Sequence, residues 1–107
     1  MKVIYNNLIP VKGFVAINLF GVVFARKEYR KYVDSTTLNH EAIHTAQMKD
    51  LWYIGFYICY FLEWIYRLIF HPYSAYHGLS FEQEAYLNQK DMSYLRNRKP
   101  FAMWRKR

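Results

Sequence analysis

The sequence HEAIH, from His40 to His44, constrains the fold and chemistry of this chain more than any other feature. Residues four apart lie on one face of an α-helix, so both imidazoles can reach the same metal ion. This HExxH pattern predicts a helix that binds Zn²⁺ through His40 and His44. Glu41, beside the first histidine, would accept a proton from the water that the ion activates. The alternative is a chance spacing of two exposed histidines.

A catalytic zinc ion usually has a third protein ligand, and two acidic residues further along the chain are candidates. Glu82 and Glu84 follow Ser80, a suitable N-cap for a last helix over FEQEAYLNQKDMSYL. The stretch after His44 is long enough for an intervening helix to leave and return. Because residues two apart lie on nearly opposite faces of a helix, only one carboxylate can point at the ion. An ordinary acidic first turn, favoured by the helix dipole, is the alternative interpretation.

The pattern of apolar and turn residues predicts an α+β fold, a small N-terminal sheet followed by three helices. Within residues 3 to 33, the runs FVAINLF and VVFAR are rich in β-branched and aromatic residues and flank Gly21, which predicts a β-hairpin. The side-chain oxygens between Asp34 and Thr37 predict the start of a helix that continues to about Lys49. A chain of 107 residues is expected to form one domain.

Residues 51 to 70, LWYIGFYICYFLEWIYRLIF, form an apolar run that carries only two charges. The run is long enough to span a bilayer, but its Tyr and Trp side chains are more typical of an interface than of lipid tails. Glu63 and Arg67 stand four apart, a spacing that favours pairing on one face. We therefore favour a buried or interfacial helix, which ends before Pro72, over a membrane span. Cys59 is interpreted as a buried hydrophobic residue.

The formal charge of +7 is concentrated in a basic C-terminal tail. Residues 96 to 107 hold six basic residues and no acidic one, which leaves nine basic and eight acidic residues in the rest of the chain. The nearly neutral body argues against nucleic acid as the partner. The tail suits a solvated terminus, an anionic membrane surface or a phosphate backbone. With one cysteine and no secretion signal, the expected location is the cytoplasm, with or without association with a membrane.

Two segments resemble the gluzincin clan of zinc metallopeptidases, and in particular the single-domain minigluzincins and small predicted zinc peptidases of bacteria. They are HEAIHTAQ at 40 to 47 and FEQEAY at 81 to 86, with the strand-forming segment NLFGVVFAR upstream. The resemblance implies a minimal zincin-like domain over residues 1 to 107 that hydrolyses a peptide or protein substrate.

The resemblance also favours Glu82 over Glu84 as the third zinc ligand, with His40 and His44. In the clan this ligand is the first glutamate of an ExxA motif, and Ala85 would be the small packing residue of that motif. Residues 20 to 26 are the candidate strand along which an extended peptide would bind, and the alternative is an edge strand that only completes the core.

The sequence departs from this clan around the ligands. Many gluzincins have an aspartate that orients a zinc histidine where this chain has Tyr86, so the surroundings of the ligands are expected to differ. Gln47 is interpreted as an ordinary polar helix residue. Candidates for stabilising an oxyanion are His77, Tyr76 and Tyr73, in the loop before the last helix.

Two other interpretations of the same residues stay open. In the first, the ligands hold zinc in a catalytically inactive interaction or membrane-surface module. In the second, the HExxH spacing is accidental and the chain is a small membrane-tethered protein whose basic tail binds anionic lipid or nucleic acid.

Overall fold

The computed structural model describes residues 2–10, 12–76 and 78–105, which form a small sheet followed by helices. The strands are β1 (Val3–Asn6), β2 (Ala16–Leu19) and β3 (Val22–Arg26). β3 lies in the centre of the sheet, parallel to β1 and antiparallel to β2. The predicted α+β fold is confirmed.

β2 and β3 form the predicted hairpin, closed by a turn of two residues. Phe20 and Gly21 have φ values of 53° and 91°, as a type I′ turn requires. The prediction that an extended peptide pairs with residues 20 to 26 is corrected by this arrangement. β3 has a neighbour on both sides, so the edge strands of the sheet are β1 and β2.

The first helix, α1 (Ser35–Asp50), begins at the predicted cap. The Asp34 carboxylate accepts a hydrogen bond of 2.8 Å from the backbone N–H of Thr37, which satisfies one of the unpaired donors of the first turn. The buried positions of α1 follow helical spacing and form one inward stripe. They are His40, Ile43, His44, Gln47 and Met48.

The apolar run forms a shorter helix than predicted, α2 (Ile54–Phe70). Trp52 and Tyr53 take positive φ values of 59° and 61°, so the chain turns sharply between α1 and α2. Phe56 is the one buried residue of α2. Of the two predicted alternatives to a membrane span, the fully buried helix is not observed, because α2 covers the core with one side and leaves the other exposed. The interfacial helix stays a prediction.

Helix length and direction also bear on the membrane-span alternative. Within the described residues, no single helix is long and apolar enough to cross a membrane. Only α1 and α2 together have the length and apolar composition of a span, and their axes are bent by 106° at the break between them.

The charged residues of α2 bind the loop that precedes the next helix instead of each other. The Glu63 carboxylate accepts hydrogen bonds from the backbone N–H and the hydroxyl of Ser80. The Arg67 guanidinium donates to the hydroxyl of Ser74 at 3.0 Å. The expected pairing of Glu63 with Arg67 is thus replaced by two contacts that fix where the next helix starts.

The predicted last helix is divided into α3 (Ser80–Asn88) and the short α4 (Tyr94–Asn97). The side-chain amide of Asn39, on α1, donates to the carbonyl groups of Gln89 and Asp91. These tertiary hydrogen bonds hold the chain in a turn where local propensity favours a continuing helix.

The C-terminal segment packs on the body of the protein, which corrects the interpretation of a solvated tail. The Met103 side chain is 1% exposed and lies in the core cluster with Met48, Phe56 and Phe81. Residues 106 and 107 lie outside the described part of the chain.

We expect Met103→Ala to lower the free energy of unfolding by about 2–5 kcal/mol, because it empties a filled core position. The matched control is Met92→Ala at a side chain that is 54% exposed, with an expected change within about 0.5 kcal/mol. Urea denaturation followed by circular dichroism measures both. Equal stability of the two variants would contradict the packing of the tail.

Candidate metal centre

The two histidines of HExxH and one glutamate meet at a buried point between α1 and α3. The Nε2 atoms of His40 and His44 are 3.1 Å apart, as helical spacing predicts. The Oε1 atom of Glu82 lies 3.1 Å from Nε2 of His44 and 3.3 Å from Nε2 of His40. All three side chains are buried. This group could bind a metal ion.

The separations of the three donor atoms fit tetrahedral coordination. Bond lengths of about 2.0–2.1 Å to zinc place neighbouring ligand atoms roughly 3.3 Å apart. The observed separations of 3.1 to 3.3 Å are close to that value. The arrangement therefore needs little movement to accept an ion.

Gln47 sets which nitrogen of His44 faces the site. Its Oε1 atom lies 2.8 Å from Nδ1 of His44, and its amide nitrogen donates to the carbonyl of Phe81 and to Glu84, each at 2.9 Å. Because the amide nitrogen is committed to two acceptors, the oxygen must face the ring, and Nδ1 must carry a hydrogen. A neutral His44 then presents the Nε2 lone pair to the metal position.

This role of Gln47 was missed in the sequence, where it was interpreted as an ordinary polar residue. The side chain is fully buried. Its position one turn beyond His44 is a signal that could have been used, because a side chain on the same face as a ligand can reach it.

His40 has a similar partner at the end of α3. The Oε1 atom of Gln89 lies 2.8 Å from Nδ1 of His40. Tyr86 packs its ring edge against the imidazole, with centroids 4.6 Å apart. A glutamine amide is thus the group that orients the imidazole of His40.

The second oxygen of Glu82 is held by a tyrosine from the apolar run. The Tyr60 hydroxyl donates to Oε2 of Glu82 at 2.7 Å. Burial by itself would raise the pKa of Glu82, but hydrogen bonds from His40, His44 and Tyr60 lower it by a larger amount. The pKa is therefore below its ordinary value, and the carboxyl stays ionised. The sequence offered no signal for Tyr60, since it lies among many aromatic residues of the same run.

Glu84, the other candidate ligand, is buried and engaged elsewhere. Arg98 donates to both oxygens of its carboxylate, at 2.6 Å and 3.1 Å, and the Tyr94 hydroxyl donates at 2.6 Å. Arg98 also forms an ion pair with Asp50 at 2.8 Å. Glu84 therefore supports Gln47, and the acidic donor of the metal group is Glu82.

Glu41 borders an open cleft beside the three donors. The cleft has a volume of about 280 Å³ and is lined by β2, by α1 and by one side of α2. Burial raises the pKa of the Glu41 carboxyl, and the charges of His44 and His40 oppose that increase. Glu41 therefore lies beside the three donors with a pKa above its ordinary value.

The predicted oxyanion residues are placed differently from one another. Tyr76 lines the cleft together with Glu41. Tyr73 is fully exposed and is not among the residues that line it. His77 lies outside the described residues.

No protein-family model, curated protein sequence or solved structure matches this chain. Kinship with the gluzincins thus stays a proposal, which rests on the two motifs and on the geometry of the site.

Exchanging the two glutamates for glutamine separates the ligand from the supporting residue. We expect Glu82→Gln to weaken metal binding more than about 100-fold, which exceeds the usual effect of residues that do not bind the metal directly. Glu84→Gln should weaken it less than about tenfold. Competition with a chromogenic chelator measures the affinity, and circular dichroism verifies that both variants are folded. A larger loss in Glu84→Gln would move the third ligand to Glu84.

Metal affinity should depend on pH through His44. Burial lowers the pKa of His44, but the hydrogen bond to Glu82 and the charges of Glu82 and Glu41 raise it to about 9. In the metal-free protein the proton on His44 stabilises the fold below the ordinary pKa of 6.5, and this contribution is lost as the pH rises through 9. A metal ion and this proton compete for the imidazole of His44.

We therefore expect the apparent metal affinity to rise about tenfold per pH unit, or about 100-fold from pH 6.5 to 8.5. Isothermal titration calorimetry in buffers of different ionisation enthalpy measures the affinity and the proton released. An affinity that does not change over this range would contradict the raised pKa.

Proposed function

We propose that this chain is a zinc-dependent peptidase of the gluzincin kind. The observation that carries the proposal is the convergence of His40, His44 and Glu82 at mutual distances of 3.1 to 3.3 Å, with Glu41 at the adjoining cleft. Two histidines and one glutamate are the ligand set of several catalytic zinc sites, which keep a fourth position open for water.

Zinc is the metal that the donor set favours. Imidazole nitrogens and a carboxylate suit zinc, while magnesium and calcium prefer oxygen ligands alone. When bound, zinc would lower the pKa of a coordinated water and polarise a peptide carbonyl. Within the described residues the group contains three donors, as an open catalytic site requires, and the cleft beside it gives access.

Glu41 is the residue for proton transfer in this proposal. It follows His40 on α1 and lines the cleft, and its carboxyl has a raised pKa because it is partly removed from water. A carboxylate with a pKa nearer to neutral can take a proton from the attacking water and return it to the leaving amine. Tyr76 lines the same cleft and is the residue that we propose as the donor to the oxyanion.

The edge of β2 offers a binding site for an extended peptide. Arg26 donates its backbone N–H to the carbonyl of Val15, so the odd-numbered residues of β2 face β3. The N–H and C=O groups of Ala16 and Asn18 then point away from the sheet, next to the cleft. A peptide added antiparallel to β2 would use the groups of Ala16 first, because the Asn18 carbonyl already accepts from Tyr57.

An apolar groove continues from this edge and favours a substrate with a bulky apolar side chain. The groove shares Ala16, Ile17 and Tyr76 with the metal cleft and adds Ile9 and Phe14. Its volume of about 690 Å³ exceeds that of any single side chain, so it would hold more than one residue of a peptide.

We expect Glu41→Gln to keep one zinc per chain and to lower peptidase activity about 100-fold to 10,000-fold, because the amide cannot accept the proton. The assay is cleavage of internally quenched peptides rich in Phe and Leu, with zinc content measured on the same samples. Glu28→Gln, on the exposed segment after β3, is the matched control and should keep full activity.

Two results would count against the proposal. Loss of zinc in Glu41→Gln would make Glu41 a ligand. Zinc binding that stabilises the fold, with no cleavage of any peptide by the unsubstituted protein, would favour the inactive zinc-stabilised module.

A further inference from the structure

The side of α2 that points away from the protein is a continuous apolar surface, which we call the outer face. Its side chains are 40% to 66% exposed and follow helical spacing. They are Ile54, Ile58, Phe61, Leu62, Tyr66, Leu68 and Ile69. Exposed apolar patches of this extent mark interaction sites in proteins.

The outer face carries no charge, because the two charged residues of α2 are turned away from it. Glu63 binds Ser80, the first residue of α3, and Arg67 binds Ser74, in the segment before it. The hydroxyl of Tyr66 is the one polar side-chain group on the outer face. A protein partner would leave such a surface without the hydrogen bonds that interfaces usually contain, at about one per 100–200 Å².

We infer that the outer face of α2 lies on an anionic membrane surface. Hydrocarbon chains need no hydrogen-bonding groups from the protein, and an amphipathic helix of this type lies in the plane of the membrane with its apolar side immersed. In an isolated amphipathic helix the opposite side is polar and faces water. In α2 the opposite side packs on the body of the protein instead. Trp52, 87% exposed just before α2, adds an aromatic side chain of the kind that prefers the membrane interface.

Charge distinguishes this partner from a second copy of the chain. A formal charge of +7 attracts anionic headgroups, while two copies that each carry +7 repel one another. Exposed basic residues include Lys49, close to the start of α2, and Arg96 and Lys99 in the C-terminal segment.

Docking through the outer face would bring the metal centre close to the membrane. The inner side of α2 supplies Phe56, Tyr57 and Tyr60 to the cleft. The cleft is thus separated from the outer face by one helix, whose diameter with side chains is about 10–12 Å. This inference does not depend on peptidase activity, so Glu41→Gln should dock as the unsubstituted protein does.

The test is co-sedimentation of the full chain with vesicles of phosphatidylcholine, alone or mixed with phosphatidylglycerol. We expect partition into the mixed vesicles to be stronger, and Ile58→Glu with Leu62→Glu to lower it about tenfold or more. The matched control is Leu8→Glu with Leu87→Glu, at side chains 82% and 68% exposed. It makes the same change in charge elsewhere and should alter partition no more than about twofold.

Three results would overturn the inference. The first is failure of the unsubstituted protein to bind mixed vesicles. The second is equal binding by the Ile58 and Leu62 double variant. The third is a dimer in solution, measured by light scattering, together with no binding to vesicles. If the Ile58 and Leu62 double variant is then a monomer, the outer face belongs to a second copy of the chain. Circular dichroism verifies that every variant is folded.

Discussion

The hydrogen bonds of the buried Gln47 amide join the parts of the structure on which the metal centre depends. One end of the amide fixes the ring of His44, and the other end holds the backbone of α3 at Phe81 and the carboxylate of Glu84. An unsatisfied polar group at a fully buried position would cost about 1–3 kcal/mol. The approach of α3 to α1, and with it the position of Glu82, is therefore specified by polar geometry as well as by apolar packing.

The same network connects the basic C-terminal segment to the metal centre. Glu84 is 1% exposed, and its charge is tolerated there because Arg98 binds it through two hydrogen bonds. Removing one partner of such a buried pair usually costs about 3–5 kcal/mol. Arg98 also binds Asp50, at the end of α1. The basic C-terminal segment therefore stabilises the packing of α1 and α3 through Arg98, although its sequence is typical of a solvated tail.

The two sides of α2 explain why its sequence is so uniformly apolar. Its inner side supplies aromatic side chains to the core and cleft, where Tyr60 also binds Glu82. Its outer side remains exposed and uncharged. Because both sides are largely apolar, length and composition alone cannot separate a core helix, a membrane span and an interfacial helix.

The sequence by itself determined the features that local geometry controls. Helical spacing aligned His40 with His44, the polar side chains from Asp34 to Thr37 marked the start of α1 without selecting the cap, and Gly21 marked the hairpin turn. Local geometry left Glu82 and Glu84 as alternatives, and only the resemblance to the gluzincin motif favoured Glu82, which lies at the histidines in the structure. Tertiary structure alone decided that β2 is the edge strand beside the cleft, that Gln89 orients His40, and that the C-terminal segment is packed. These features arise from contacts between residues far apart in the chain, whose partners are chosen by packing and by the pairing of buried polar groups, neither of which leaves a periodic signal in the sequence.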